Sequence, residues 1–242
     1  MSGGIETWTF KGDEIANTFD HHVRSQLPFY DMVLDSIASM VKNFLPKGGH
    51  MTDVGCSTGN LYFRLMKDIR EREAVYHGVD SSKEMLQRFQ ERCSNLEQRQ
   101  DSQKDCRFVE IELDEFSKSD RVKNEASTHL WTRPNVFVMN LTYMFLSPDT
   151  REGWLEYMKE RVRNHGAIII VDKCKEERGY LSMIYQRMLW DFKSKSSSLE
   201  DIVKKELCLR GVQIPERRTL YLDHGFDEWF RYGDFSGFIY LQ

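Results

Sequence analysis

Cysteine is scarce and has no pairing pattern. The 242 residues include five, Cys56, Cys93, Cys106, Cys174 and Cys208. No two of them form a CxxC, and the count is odd, so no zinc ligand set is apparent and a disulfide framework is not expected. Long apolar runs are also missing. No stretch reaches the roughly 18 apolar residues that a membrane helix needs. The first 20 residues carry charges throughout, so no cleavable leader is expected, and a reducing cytoplasm is the expected location. A basic excess is absent too: 34 Lys and Arg stand against 38 Asp and Glu, a formal charge of −4. Dedicated nucleic-acid binders are usually strongly basic, although net charge leaves room for a local basic face. There is no internal repeat. Against these absences stands a hydrophobic content of 40%. That is enough for a core at this length, and a single domain over 1–242 is expected.

The order of periodicities points to an α/β fold. Residues 13–44 read as helical. Within them Val33, Ile37, Met40, Val41 and Phe44 fall at i, i+4, i+7, i+8 and i+11, the stripe of an amphipathic helix. Pro46 and Gly48-Gly49 end it. Strands are expected at 50–54, 74–80, 106–111, 135–140 and 166–172. Helices are expected at 61–69, 82–95 and 148–164, with an exposed polar loop at 97–105. The strands at 135–140 and 166–172 are almost wholly apolar, as central parallel strands are. Alternation of strand and helix predicts a mostly parallel sheet covered on both faces. Residues 12–48 form an N-terminal helical cap in this scheme, and 174–210 a helical insertion broken by the polar run Lys193–Ser198. The aromatic C-terminus, 225–242, reads as a hairpin around Tyr232-Gly233-Asp234. The first 11 residues read as loosely ordered.

The strongest chemical signal is the turn Asp53-Val54-Gly55-Cys56-Ser57-Thr58-Gly59 between the first strand and the next helix. Glycines at 55 and 59 allow a tight turn and close approach to a ligand, and the helix behind them presents free N–H groups. The spacing is GxxxG rather than the GxGxxG of a pyrophosphate loop. An acidic residue two positions before the first glycine suits a ligand that carries positive charge, or fixes the loop. Asp80 ends the next strand, at the distance where a carboxylate accepts both ribose hydroxyls of an adenosine. Ser81-Ser82 cap the following helix, and Met85 lies against adenine or simply in the core. Glu112 and Leu113, after the third strand, either meet the adenine or are surface residues. Asn140 ends the fourth strand, where ligands of open α/β sheets bind. Together these residues point to S-adenosylmethionine, an adenosyl cofactor without phosphate.

With these pieces placed, the chain resembles class I S-adenosylmethionine-dependent methyltransferases. More narrowly, it resembles the carboxy-S-adenosyl-L-methionine synthases of tRNA wobble-uridine modification and their methyltransferase relatives. The resemblance rests on Phe19-Asp20-His21-His22-Val23, Pro28-Phe29-Tyr30, the glycine loop, Asp80-Ser81-Ser82 with Met85, Asn140 to Pro148, and Met188-Leu189-Trp190-Asp191-Phe192-Lys193. It implies a Rossmann-like sheet with an antiparallel C-terminal strand. It also implies cofactor contacts at Tyr30, Gly55, Asp80, Glu112 and Asn140, and a homodimer through 174–210; the loop and strand-end reading adds Asp53, Cys56, Ser57, Gly59, Ser81, Met85 and Leu113 to the expected cofactor site. The synthases hold the carboxylate of carboxy-S-adenosylmethionine with an arginine, and Glu206 stands at that position here. A glutamate repels a carboxylate, and the neighbouring Lys204 and Lys205 lack an arginine's fork.

The expectation is therefore methyl transfer from S-adenosylmethionine to an acceptor that is a small molecule or a nucleic acid. A synthase that uses prephenate is the alternative, and a non-catalytic cofactor-binding protein is a third reading. Methyl transfer needs alignment first, and a general base only for a poor nucleophile. His22, Tyr143 and Asp191 are the candidates for such a base, with His21 and Tyr30 behind them. Trp190 and Tyr185 read as packing residues of the insertion. No metal site is expected.

Overall fold

The computed structural model describes residues 9–97, 105–114, 133–210 and 212–242. Residues 1–8 of the segment read as loosely ordered, and 98–104 of the predicted polar loop, lie outside that set. The helical stretch at 13–44 is two helices, α1 (Asp13–Gln26) and α2 (Tyr30–Phe44). Pro28 explains the break: it has no N–H, and it drives the preceding residue out of the helical region. Leu27 is accordingly extended, with φ −128°.

From there strands and helices alternate as expected. β1 (His50–Val54) leads to α3 (Asn60–Glu71), β2 (Val75–Asp80) to α4 (Lys83–Glu97), and β3 (Cys106–Glu110) follows. β4 (Val136–Asn140) reaches α5 (Pro148–Arg161) through one 3-10 turn, Tyr143–Phe145, and β5 (Ala167–Lys175) comes next. The insertion is two helices, α6 (Gly179–Lys193) and α7 (Leu199–Leu209). Ser198 caps α7 by accepting the Asp201 N–H at 3.1 Å. A two-residue β6 (Glu216–Arg217) and a short α8 (Arg218–Asp223) precede the hairpin β7 (Asp227–Tyr232) and β8 (Phe235–Leu241).

The sheet runs β3-β2-β1-β4-β5-β8-β7, with β6 beside the end of β5. Pairings from β3 to β5 are parallel, and β8 is antiparallel to both β5 and β7. The chain order reverses between β1 and β4, which opens a crevice at the carboxyl ends of those strands. Both faces are covered. Val33, Ile37, Val41, Leu65 and Phe89 pack on one, and Trp154, Met158, Tyr221 and Phe238 on the other. Val136–Met139 and Ala167–Val171 are fully enclosed between these layers, which accounts for their uninterrupted apolar sequence. Among the described residues no helix is long and apolar enough to cross a membrane.

One buried charge ties β5 to its neighbours. Asp172 accepts hydrogen bonds from the Tyr221 hydroxyl at 2.5 Å and the Met144 N–H at 3.0 Å. Burial outweighs these bonds and pushes its carboxyl up to about 7. Between the ordinary value of 3.8 and about 7, the folded chain keeps a proton that the unfolded chain has released. This group therefore opposes folding increasingly as pH rises through that window. Asp172→Asn keeps an acceptor for Tyr221. In urea unfolding at stepped pH, the stability difference should move in the variant's favour by up to about 1.4 kcal/mol per pH unit across the window. Parallel pH profiles for the two proteins would refute this.

Candidate cofactor site

The parallel register carries the functional strand ends to one edge. Val54 lies opposite Val79, and Asp80 opposite Glu110. The loop after β1 folds across the end of β2: the Gly55 and Cys56 N–H groups both donate to the Val79 carbonyl, at 2.7 and 3.0 Å. Two glycines are structurally required there. Gly55 has φ +77°, and a Cβ on it would run into the Thr142 side chain. Gly59 has φ +83°, and a Cβ there would enter the Phe89 ring. Ser57 and Leu141 hold left-handed backbone without being glycine, with φ 50° and 58°. Both line the same cleft, whereas Glu73 and His165, the other two such residues among those described, lie away from it.

Asp80 sits at the centre of this arrangement. Its carboxylate accepts the Ser57 N–H at 2.8 Å and the Ser82 N–H at 2.9 Å, so it joins the loop to the start of α4. Burial raises its pKa, against the pull of those backbone bonds. Ser82 in turn accepts the Met85 N–H at 3.3 Å, and the Ser57 hydroxyl reaches the Met85 sulfur at 3.4 Å. Asp53 is buried beside the Tyr76 hydroxyl, which donates to it, and burial pushes its carboxyl up to about 7. The Asn140 Oδ1 is buried and has no hydrogen-bond partner among the described residues.

These groups line a cleft of about 260 Å³. Asp53, Asp80, Glu112 and Asp114 make one side acidic. The opposite side is built by the cap, the insertion and the end of β5, and carries His22, Lys173, Lys193 and Lys205 with Glu206. Lys193 donates to Glu206 at 2.5 Å, and the Lys205 ammonium touches the His22 ring. Burial pulls Lys205 down to about 8. Tyr30, its hydroxyl accepting from Asn60 at 3.1 Å, closes the cap side, and burial pushes its phenol up to about 12.

The structure brings together Tyr30, Asp53, Gly55, Cys56, Ser57, Asp80, Ser81, Met85, Glu112, Leu113 and Asn140 around this cleft. Gly59 does not line it and instead packs on Phe89. Of the three candidate bases only His22 reaches the cleft. Tyr143 is fully enclosed on the other face of the sheet, 5.5 Å from the Tyr221 ring, and burial pushes its phenol up. Asp191 is exposed on α6, on the outside of the insertion, away from the cleft. Trp190 is half-buried on α6 and also lies off this cleft. Asn60, Thr142, Asp114 and Lys173 also line the cleft and were not among the sequence candidates; the first three lie within two residues of Gly59, Asn140 and Leu113, and Lys173 directly follows the predicted strand 166–172, so their place at a strand end or beside the loop is the signal that could have found them.

The description of a methyltransferase domain fits residues 45–205, two thirds of the chain. A carboxy-S-adenosyl-L-methionine synthase of Staphylococcus epidermidis is 27% identical over 97% of this chain and 97% of its own length. Among solved structures, the magnesium protoporphyrin IX methyltransferase of Synechocystis with bound S-adenosylhomocysteine superposes with a TM-score of 0.55 at 12% identity, over 89% of this chain and 84% of that one. The plantazolicin methyltransferase, also with S-adenosylhomocysteine, gives 0.57 at 15% identity, over 87% and 68%. At such identities the structural likeness speaks for the fold, and the match over residues 45–205 for the family. The chain belongs to the methyltransferase-domain family, on a fold shared with these S-adenosylhomocysteine-bound methyltransferases.

Proposed function

We propose that S-adenosylmethionine lies along the acidic side of the cleft and that the enzyme passes its methyl group to an acceptor entering from the cap and insertion side. The observation that carries this is the unpartnered, buried Oδ1 of Asn140, held at a wall shared with Asp80 and the glycine loop. A buried acceptor atom without a donor fits a ligand that supplies one. The donor set fits as well: the lining residues of that side are carboxylates and amides, which suit a cationic cofactor and would repel an anionic one.

In this arrangement Asp80 accepts the ribose hydroxyls. Its oxygens take the Ser57 and Ser82 N–H groups, and a carboxylate offers about four acceptor sites in all. Met85 and Leu113 flank the adenine, and Glu112 accepts from its amino group. Asp53, Gly55, Cys56, Ser57, Ser81 and Tyr30 shape the rest of the cofactor's bed. The bound cofactor supplies a methyl group on a cationic sulfur, so the protein's part is mainly alignment and exclusion of water. His22 and Lys205, paired on the opposite wall, stand where an acceptor's proton can be taken.

A second reading has support of its own. The curated relatives named carboxy-S-adenosyl-L-methionine synthase match nearly the whole chain, and three lysines face the cleft. That reading would place the chain in tRNA modification. Against it, Glu206 stands at the arginine's position and its charge is taken up by Lys193. We read residues 1–242 as one domain working in the reducing cytoplasm, which suits the five free thiols. It assembles as a homodimer through the insertion, where Tyr180, Met183, Met188, Leu199, Val203 and Leu207 are exposed together on α6 and α7.

Three measurements test these proposals. In calorimetry with S-adenosylhomocysteine, Asp80→Ala should weaken binding by at least about tenfold, or about 1.4 kcal/mol; unchanged affinity rejects the ribose assignment. Mass spectrometry of ligand released from purified protein should find S-adenosylmethionine or S-adenosylhomocysteine, and a mass with an added carboxylate would restore the synthase reading. Light scattering after gel filtration should give twice the 28.7 kDa chain mass, falling to a single chain in Met183→Glu; a monomeric parent protein excludes the dimer.

A further inference from the structure

The cap helix α1 is held over the cleft by an unusual balance of forces. Of its 14 residues only Ala16 and Val23 are buried, whereas six are buried on the adjacent α2. Yet Phe19, His22, Val23 and Gln26 of this weakly anchored helix form the wall of the cofactor cleft. Little apolar burial holds that wall in place, so polar contacts must carry much of the attachment.

Arg24 reaches Asp31 of α2 and His22 meets Lys205 of α7, but one side chain makes three of these contacts by itself. Asp20 accepts the Thr58 hydroxyl at 2.5 Å and the Asn60 amide at 2.8 Å, and pairs with Arg92 at 3.0 Å. Thr58 and Asn60 flank Gly59 at the end of the cofactor loop. Arg92 comes from α4 and also donates to the Thr58 carbonyl at 2.7 Å and to Asn60 Oδ1 at 3.2 Å, while its guanidinium lies 4.2 Å from the Phe63 ring centroid. One carboxylate on the cap therefore joins α1 to the loop end, to α3 and to α4. Thr58 and Asn60 are buried in this closed form. Swinging α1 outward would strip the Asp20 acceptor from both, which gives the closed form a definite holding force.

We infer that Asp20 is a positioning residue that latches the cap over bound S-adenosylmethionine through Thr58, Asn60 and Arg92, and so sets how long the cofactor stays. The inference rests on the cleft being the cofactor's site. It assigns Asp20 no contact with the cofactor and no part in the chemistry.

The latch makes a kinetic demand that simple packing does not. Tritiated S-adenosylmethionine is bound to the full chain and chased with excess unlabelled S-adenosylhomocysteine. Asp20→Ala should release the label at least about tenfold faster, with an association rate no slower than that of the parent protein. Asp20→Asn keeps the side chain's size and one acceptor oxygen but gives up the ion pair to Arg92. It should fall between the two, and it carries the test should the alanine variant not fold. Thr58→Val removes the other end of one bond and should also speed release. The double variant should release no faster than Asp20→Ala alone, because both changes break the same contact. An unchanged release rate overturns the latch. So does a loss of affinity that arises from slower association, which would make Asp20 a shaper of the loop, and so do effects of Asp20 and Thr58 that multiply. If the parent protein retains no label at all, the cofactor assignment of the cleft falls, and the latch with it.

Discussion

Everything at the cofactor edge depends on how the Asp80 carboxylate is spent. Its two oxygens take the N–H groups of Ser57 and Ser82, so the end of β2 holds both the glycine loop and the start of α4. A strand end, a strained loop and a helix N-terminus thereby become one rigid piece. The strain at Ser57 persists because this bond and the two N–H bonds to the Val79 carbonyl fix the loop from both sides. A carboxylate committed in this way is half-buried at the strand end, and the cost of its desolvation shows in its raised pKa.

The cleft that results has two chemistries. Its strand-end side is acidic because the carboxyl ends of β1, β2 and the segment after β3 each deliver a carboxylate there. The side built by the cap, the insertion and the end of β5 is basic, and its lysines sit close to partners: Lys193 on Glu206, Lys173 near Asp234 at 3.8 Å, and Lys205 against His22. A cationic cofactor on the first side and a separate acceptor on the second is the division of labour this favours. The pairing of Glu206 with Lys193 also changes the meaning of the glutamate. Read alone it is a negative charge in place of a cation; in the structure that charge is largely balanced.

The cap shows how a surface element can serve a buried site. α1 brings few apolar residues to the core, so it is attached through a polar knot at Asp20 rather than through burial. Such an attachment opens at lower cost than a packed interface does, as befits a wall that a large ligand must pass.

Much of this molecule was legible before any coordinates. The parallel sheet followed from the alternation of periods, since a strand buried on both faces must be apolar along its length, as Ile168-Ile169-Ile170-Val171 is. The loop and Asp80 were legible because their spacing is local: tight turns and strand ends impose residue types within a few positions. What sequence could not decide was which distant side chains arrive at that edge. Tyr143 and His22 are equally plausible as letters, yet the turn after β4 sends the tyrosine to the far face of the sheet while α1 leans the histidine into the cleft. Asp191 sits in one of the more specific motifs and still points to solvent, because Leu189 and Lys193 of that motif take the inward side of α6. Asp20 meets Thr58 and Asn60 across 38 and 40 residues, and no local period records a contact of that range. Sequence alone determined the sheet, the loop and the acidic strand ends beside it, because those follow from short-range geometry. The tertiary fold alone decided which side chains face that edge and where the cap lies over it, because those depend on where separate helices come to rest.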